Sequence, residues 1–416
     1  MKTEIKTIHA RQILDSRANP TVEAEVVFND GSFGRASAPS GASTGATEAK
    51  ELRDEDMELY IGKGVMKAVF NINGEINAGL SGKNLNQEEL DGVLMELDGT
   101  EDKSRLGANA MLAVSLAFAK ASAAHISTTL YSHLGQGFHD ISNMPRPMFN
   151  ILNGGAHADS GLSFQEFMVV PKRDSFNESL RCGVEIYHSL KKLLIENGLK
   201  TSVGDEGGFA PAIETNDRAL ELIREAGDRI GYRAGDDYEM SLDIAANEIK
   251  EGDRYLYNGG FLDRDSFINE IISLSERFPI LSIEDPLEEN DEEGFIKLND
   301  AIGNRVIIVG DDFLVTDPVR IHEAHERGSA GGAIIKPNQI GTVTETLTAI
   351  RTANASDIKT VVSHRSGETE DVAIAHLAVG TNSTFVKFGA PARGERTAKY
   401  NELLRIEEEL LRSGAL

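Results

Sequence analysis

Eight short apolar runs punctuate the later part of the chain: Met148 to Leu152, Phe167 to Val170, Met240 to Ile244, Ile280 to Ile283, Val306 to Val309, Ala333 to Ile335, Thr360 to Val362 and Thr384 to Val386. Near-continuous Val, Ile and Leu with little polar alternation reads as strand buried on both faces, as in a parallel sheet wrapped by helices. The stretches between the runs are long enough for amphipathic helices. About eight such units in ~270 residues is the size of an α/β fold of the (β/α)8 TIM-type barrel class. A doubly wound open sheet is the alternative that the same rhythm allows.

The residue after each later strand is the informative one. Leu242 leads to Asp243, Ile283 to Glu284, Gly310 to Asp311, Ile335 to Lys336, Ser363 to His364 and Val386 to Lys387, at spacings of 41, 27, 25, 28 and 23 residues. If these strands are parallel neighbours, all six groups converge on one rim of the barrel, the face where such folds build active sites. Asp243, Glu284 and Asp311 would then bring three carboxylates together, and these repel unless a cation holds them. Hard oxygen donors with no His or Cys cluster favour Mg2+ over zinc. An ion-pair network with Lys336 and Lys387 is the competing explanation.

The first part of the chain has another pattern. Thr21 to Phe28 largely alternates, Asn29-Asp30-Gly31 supplies a turn and Ser32 to Ala36 returns, a hairpin signature followed by helical patterns such as Asn109 to Ala123. Strands followed by helices suggest a smaller α+β domain. Turn formers crowd Gly135 to Pro147, so the expected domains are an N-terminal capping domain over residues 1–135 and the barrel over residues 136–416.

Composition removes several classes. The 416 residues are 40% hydrophobic and 26% charged, which excludes a disordered or collagenous chain. Cys182 is the single cysteine, so no intrachain disulfide forms and a reducing cytoplasm is the simplest home. With 67 acidic against 42 basic residues the formal charge is −25, and no Lys/Arg run offers a basic patch, so no nucleic-acid partner is expected. The longest apolar stretch, Ala110 to Ala119, is too short to span a bilayer. The first residues, Met1 to Lys6, lack a signal-peptide core.

Three loops place polar groups in permissive backbone. Ser40-Gly41-Ala42-Ser43-Thr44-Gly45 has the small residues of a mobile flap but lacks the Lys of a nucleotide P-loop. Asn153-Gly154-Gly155-Ala156-His157 carries His157, and Gly204-Asp205-Glu206-Gly207-Gly208 carries Glu206. Glu166 follows Gln165 at the start of a strand. Each of these alone is compatible with an ordinary solvent-facing residue.

Together with Ser282-Ile283-Glu284-Asp285-Pro286, Lys336-Pro337-Asn338-Gln339 and Ser363-His364-Arg365-Ser366-Gly367-Glu368, these segments closely resemble the enolase family, phosphopyruvate hydratases. The likeness runs from Asp15-Ser16-Arg17 to the closing helix around Leu404 to Glu409. It implies a carbon-oxygen lyase that removes water from 2-phosphoglycerate, a small phosphorylated substrate, with two Mg2+ per active site. Asp243, Glu284 and Asp311 would hold the tighter metal and Ser43 the second. Lys336 would take the C2 proton, and Glu206 assisted by Glu166 would release the hydroxyl as water. His157 belongs to a closing loop, while Gln165, His364 and Lys387 line the substrate and Arg365 with Ser366 clamps phosphate. The resemblance also implies a homodimer or an octamer in the cytoplasm, with a surface-displayed or secreted pool compatible with it. A paralogue using a phosphonate analogue, or a scaffold that has lost the chemistry, would share the pattern. Departures are Ala18 where the family usually has Gly, Phe388 where it has Thr, Phe313-Leu314 where it has Leu-Phe, and the run Ser160 to Ser163.

Overall fold

The structure is a computed structural model that describes residues 2–42, 45–155 and 161–416. At the N-terminus, β1 (Thr3–Leu14), β2 (Pro20–Phe28), β3 (Phe33–Ser37) and β4 (Asn84–Leu85) form an antiparallel sheet in the order β3-β2-β1-β4. The expected hairpin is β2–β3, closed by Gly31 at a φ of 90° and by Phe28 N–H donating to Ser32 O at 2.9 Å. Helix Ala108–His125, buried along nearly its whole length, packs on this sheet. Its approach to β3 requires Gly34, where a Cβ would stand 2.0 Å from the Ala117 carbonyl oxygen.

The remaining strands are β5 (Arg146–Pro147), β6 (Phe149–Asn153), β7 (Glu166–Pro171), β8 (Tyr238–Asp243), the small outlying sheet β9 (Lys250–Glu251), β10 (Arg254–Tyr257) and β11 (Gly260–Asp263), then β12 (Ile280–Glu284), β13 (Ile307–Gly310), β14 (Gly332–Ile335), β15 (Lys359–Ser363) and β16 (Phe385–Lys387). The large sheet runs β5-β16-β15-β14-β13-β12-β8-β7-β6. Its two ends are one stretch of chain, since only Met148 separates β5 from β6, and Met148 N–H donates to Val386 O at 2.8 Å. The sheet therefore closes into a barrel of eight staves, each of the eight apolar runs supplying one.

One stave departs from the all-parallel expectation. β7 is antiparallel to both β6 and β8, and two helices, Phe176–Glu196 and Asn216–Asp228, follow it in succession before β8. A parallel neighbour would need a crossover of a dozen or more residues, usually helical. The Gly- and Ser-rich stretch between Asn153 and Glu166 has no helical pattern to provide one.

Strand periodicity fixes which groups face the lumen. Met168, Val309, Ile334, Val361 and Phe385 pack in one cluster inside the barrel with Met148 and Val170. Each lies two residues below a rim residue: Glu166, Asp311, Lys336, Ser363 and Lys387 respectively. The lumen is thus an apolar plug worth ~1.5–3 kcal/mol per buried side chain, and the polar groups sit directly above it. The N-terminal domain seats on that rim. Ser40 and Gly367 exchange backbone hydrogen bonds at 2.8 and 2.9 Å, and Lys120 pairs with Asp371 at 2.7 Å.

Candidate active site

Because β7 runs backwards, its first residue stands on the same rim as the last residues of β8 and β12. Glu166 pairs in register with Asp243, and Asp243 with Glu284, so three carboxylates lie side by side on one rung. Lys387, on β16 opposite β12 in the ring, reaches across the mouth to all three. Its Nζ is 2.9 Å from Asp243 Oδ2, 2.8 Å from Glu284 Oε2 and 3.3 Å from Glu166 Oε2. Burial opposes the charge on Lys387, but the surrounding acids overcome it and its pKa is raised.

Lys336 pairs with Asp311 through a short Nζ–Oδ2 contact. Gln339 Nε2 donates to the other Asp311 oxygen at 2.9 Å and to Glu48 Oε1 at 3.2 Å, while Thr316 Oγ1 donates to Gln339 Oε1 at 2.7 Å. Burial pulls the Lys336 pKa down, as do Arg365 and Lys387, but Asp311 and Glu284 act together against them and the net shift is upward. Lys336 is therefore held as an ammonium while Asp311 is its partner, and whatever engages Asp311 instead also frees the amine.

On the opposite staves, Asn150 Nδ2 donates to Glu206 Oε2 at 3.0 Å, and His364 Nε2 lies 3.4 Å from the same oxygen. Burial first, then the charge of Glu206, raises the Glu166 pKa well above the carboxylate range. The neighbouring charge of Glu206 thus favours a proton on Glu166. Arg365 forks onto Glu48, with Nη1 to Oε2 at 3.0 Å and Nη2 to Oε1 at 3.3 Å. Gln165, Glu166, Glu206, Asp243, Asp311, Lys336, His364, Arg365, Ser366 and Lys387 line a single cleft, and Glu284 lies against it through Lys387. Ser43 and His157 fall outside the described residues.

Residues 5–134 match the model of the enolase N-terminal domain, and residues 141–415 match that of the enolase C-terminal TIM barrel domain. The chain belongs to the enolase family. Membership carries Mg2+-dependent lyase-type chemistry as the class of activity for this barrel.

The donor set of this cleft suits a hard divalent cation. The buried acids outnumber Lys336, Lys387 and Arg365, and burial with mutual repulsion raises the pKa of Glu284 and takes Asp312 up to about 7. Oxygen donors short of positive charge are what Mg2+ binds. Among the described residues, Asp285, Asp311 and Asp312 bring carboxylate oxygens within 4.8 Å of one another and could hold a metal. Asp285 also has a second duty: its Oδ1 and Oδ2 accept the backbone N–H groups of Asp311 and Asp312, each at 2.8 Å. It shapes the turn that presents Asp311. Among the described residues, no helix is long and apolar enough to cross a membrane.

Sequence reasoning missed Glu48, Gln339, Asn150 and Arg396. Gln339 stands three residues past Lys336, close enough to have been suspected. Glu48, Asn150 and Arg396 carry no local signal, because each reaches the cleft through contacts distant in sequence.

Proposed function

We propose that this chain converts 2-phosphoglycerate to phosphoenolpyruvate and water. The observation that carries the reading is the placement of Lys336 on one side of the mouth and the Glu166–Glu206 pair on the opposite staves. An elimination needs a base at C2 and an acid at the C3 hydroxyl, and these two positions supply them.

Asp243, Glu284 and Asp311 would hold one Mg2+, and Ser43 would contribute to a second. Bound there, Mg2+ stabilises the extra negative charge that develops on a carboxylate when its α-proton leaves. Lys336 takes that proton at Nζ once its hold on Asp311 is relaxed. Glu206 delivers a proton to the departing hydroxyl, with Glu166 keeping it available. Lys387 steadies the substrate carboxylate with its positive charge, and Gln165 and His364 orient the rest of the molecule. Arg365 offers a planar fork matching phosphate oxygens, with Ser366 beside it. By the family resemblance, His157 would serve the same reaction. Assembly as a homodimer or octamer and residence in the cytoplasm belong to the same proposal.

The test is direct. Purified protein with Mg2+ and 2-phosphoglycerate is expected to generate the ultraviolet absorbance of an enol phosphate, and chelation should abolish it. Solvent exchange at C2 without product would point to an analogue as substrate; neither exchange nor product would overturn the proposal.

A further inference from the structure

Arg396 stands near the start of the closing helix Gly394–Ser413 and is fully buried. Its nearest carboxylate oxygen is Glu395 Oε1, 3.5 Å from Nε. The two terminal nitrogens gather four other acceptors. Nη1 donates to His364 Nδ1 at 2.7 Å and to Arg365 O at 2.6 Å; Nη2 donates to Ser366 O at 2.6 Å and Asp205 O at 3.1 Å.

A guanidinium has only donors and stays protonated at any working pH. His364 Nδ1 therefore meets it with a lone pair, and the imidazole proton sits on Nε2, the nitrogen facing Glu206. We propose that Arg396 is a positioning residue: it fixes His364 as the neutral Nε2–H tautomer and ties the backbone of Asp205 to that of Arg365 and Ser366, holding that N–H against Glu206. The role of Glu206 as acid rests on the reading above; the tautomer does not.

The consequence is chemical. An imidazolium at His364 would lock Glu206 as a carboxylate, a poor acid, whereas a neutral N–H donor leaves Glu206 able to carry a proton. Burial acts in the same direction, taking the His364 pKa down to about 4. The other acid acting on His364, Glu368, is already engaged by Lys399 Nζ at 2.8 Å. Gly389 shows how closely the three groups are packed. At its φ of 84°, a Cβ would stand 2.7 Å from Glu206 O, 2.9 Å from His364 Cε1 and 3.1 Å from Arg396 Cδ.

Nitrogen-15 NMR of the whole chain labelled at its 10 histidines, with His364 assigned by its loss in His364→Gln, reads the tautomer without substrate. An unprotonated Nδ1 with a protonated Nε2 near neutral pH is expected; a proton on Nδ1 overturns the proposal. In Arg396→Lys, which keeps charge and loses the fork, His364 should become a mixture of tautomers. Turnover of 2-phosphoglycerate should fall about 100-fold in kcat with KM within about threefold, the scale of a misplaced acid partner. A mixed tautomer with unchanged kcat would overturn the positioning role. Absence of turnover in the wild type would instead remove the proposed function and leave the tautomer result standing.

Discussion

Arg365 and Glu48 meet in a two-pronged contact, 3.0 and 3.3 Å long, with both side chains buried. Glu48 belongs to the N-terminal domain and Arg365 to the barrel, so the group proposed to clamp phosphate already holds a carboxylate from the other domain. Glu48→Gln would leave Arg365 with a weaker counter-charge, and unbalancing a buried pair costs ~3 kcal/mol. The variant should melt lower than the wild type, and inorganic phosphate should raise its melting temperature by more than it raises the wild type's. Equal phosphate responses in differential scanning fluorimetry would show that Glu48 does not bear on the anion site.

Lys336 holds one oxygen of Asp311 and Gln339 the other. Lys336→Ala removes the proposed base and releases Asp311. Proton exchange at C2 of 2-phosphoglycerate should fall about 10²- to 10⁴-fold, while Mg2+ affinity by titration calorimetry stays the same or tightens. Exchange at the wild-type rate would take Lys336 out of the base role.

Ala18 has a φ of 59°, the left-handed region, inside a turn where Asp15 Oδ1 accepts the N–H groups of Arg17 and Asn19 at 2.8 Å each. A side chain there costs ~1–2 kcal/mol, and glycine would give back ~0.5–1 kcal/mol through the unfolded chain. Ala18→Gly should therefore stabilise the protein by about 0.5–1 kcal/mol, read as a higher urea midpoint. A lower midpoint would mean that the turn tolerates Ala18 without strain.

Asp371 ties the domains together, its carboxylate meeting Lys120 Nζ at 2.7 and 2.8 Å and accepting Ala373 N–H at 2.8 Å. Burial works against the charge, but Lys120 and these hydrogen bonds win and the Asp371 pKa is lowered. A carboxylate whose folded pKa lies below its unfolded value of ~3.9 contributes stability that is full above that value and is lost as pH falls through the folded one. Asp371→Asn should thus cost about 2 kcal/mol at neutral pH, with the gap to wild type narrowing below about pH 4. Urea titrations at both pH values check it; a constant gap would assign the effect to shape alone.

Phe388 and Phe313, two of the departures from the family pattern, are core residues in this fold. Phe388 is buried against Tyr400 at 5.9 Å between ring centroids, and Phe313 stacks on Phe295 at 4.2 Å. Neither side chain lines the cleft.

The strands and the identity of their rim residues were legible in the amino-acid order. Apolar runs that end in Asp243, Glu284, Asp311, Lys336 and Lys387 are local signals, and a period of two decides which face each presents. The direction of β7 was legible only as the lack of a helical pattern between Asn153 and Glu166, a signal that a run-by-run reading of parallel strands passes over. Likewise, the order of residues brought Lys336, Lys387 and the acids to one rim but could not say which pairs with which. Lys387 takes the Glu166–Asp243–Glu284 rung and Lys336 takes Asp311 because barrel closure sets their distances across the mouth. Glu48 on Arg365 and Arg396 on His364 are decided in the same way, by domain docking and by the seating of the last helix. Local sequence fixes what a segment is; only the closed chain fixes what it touches.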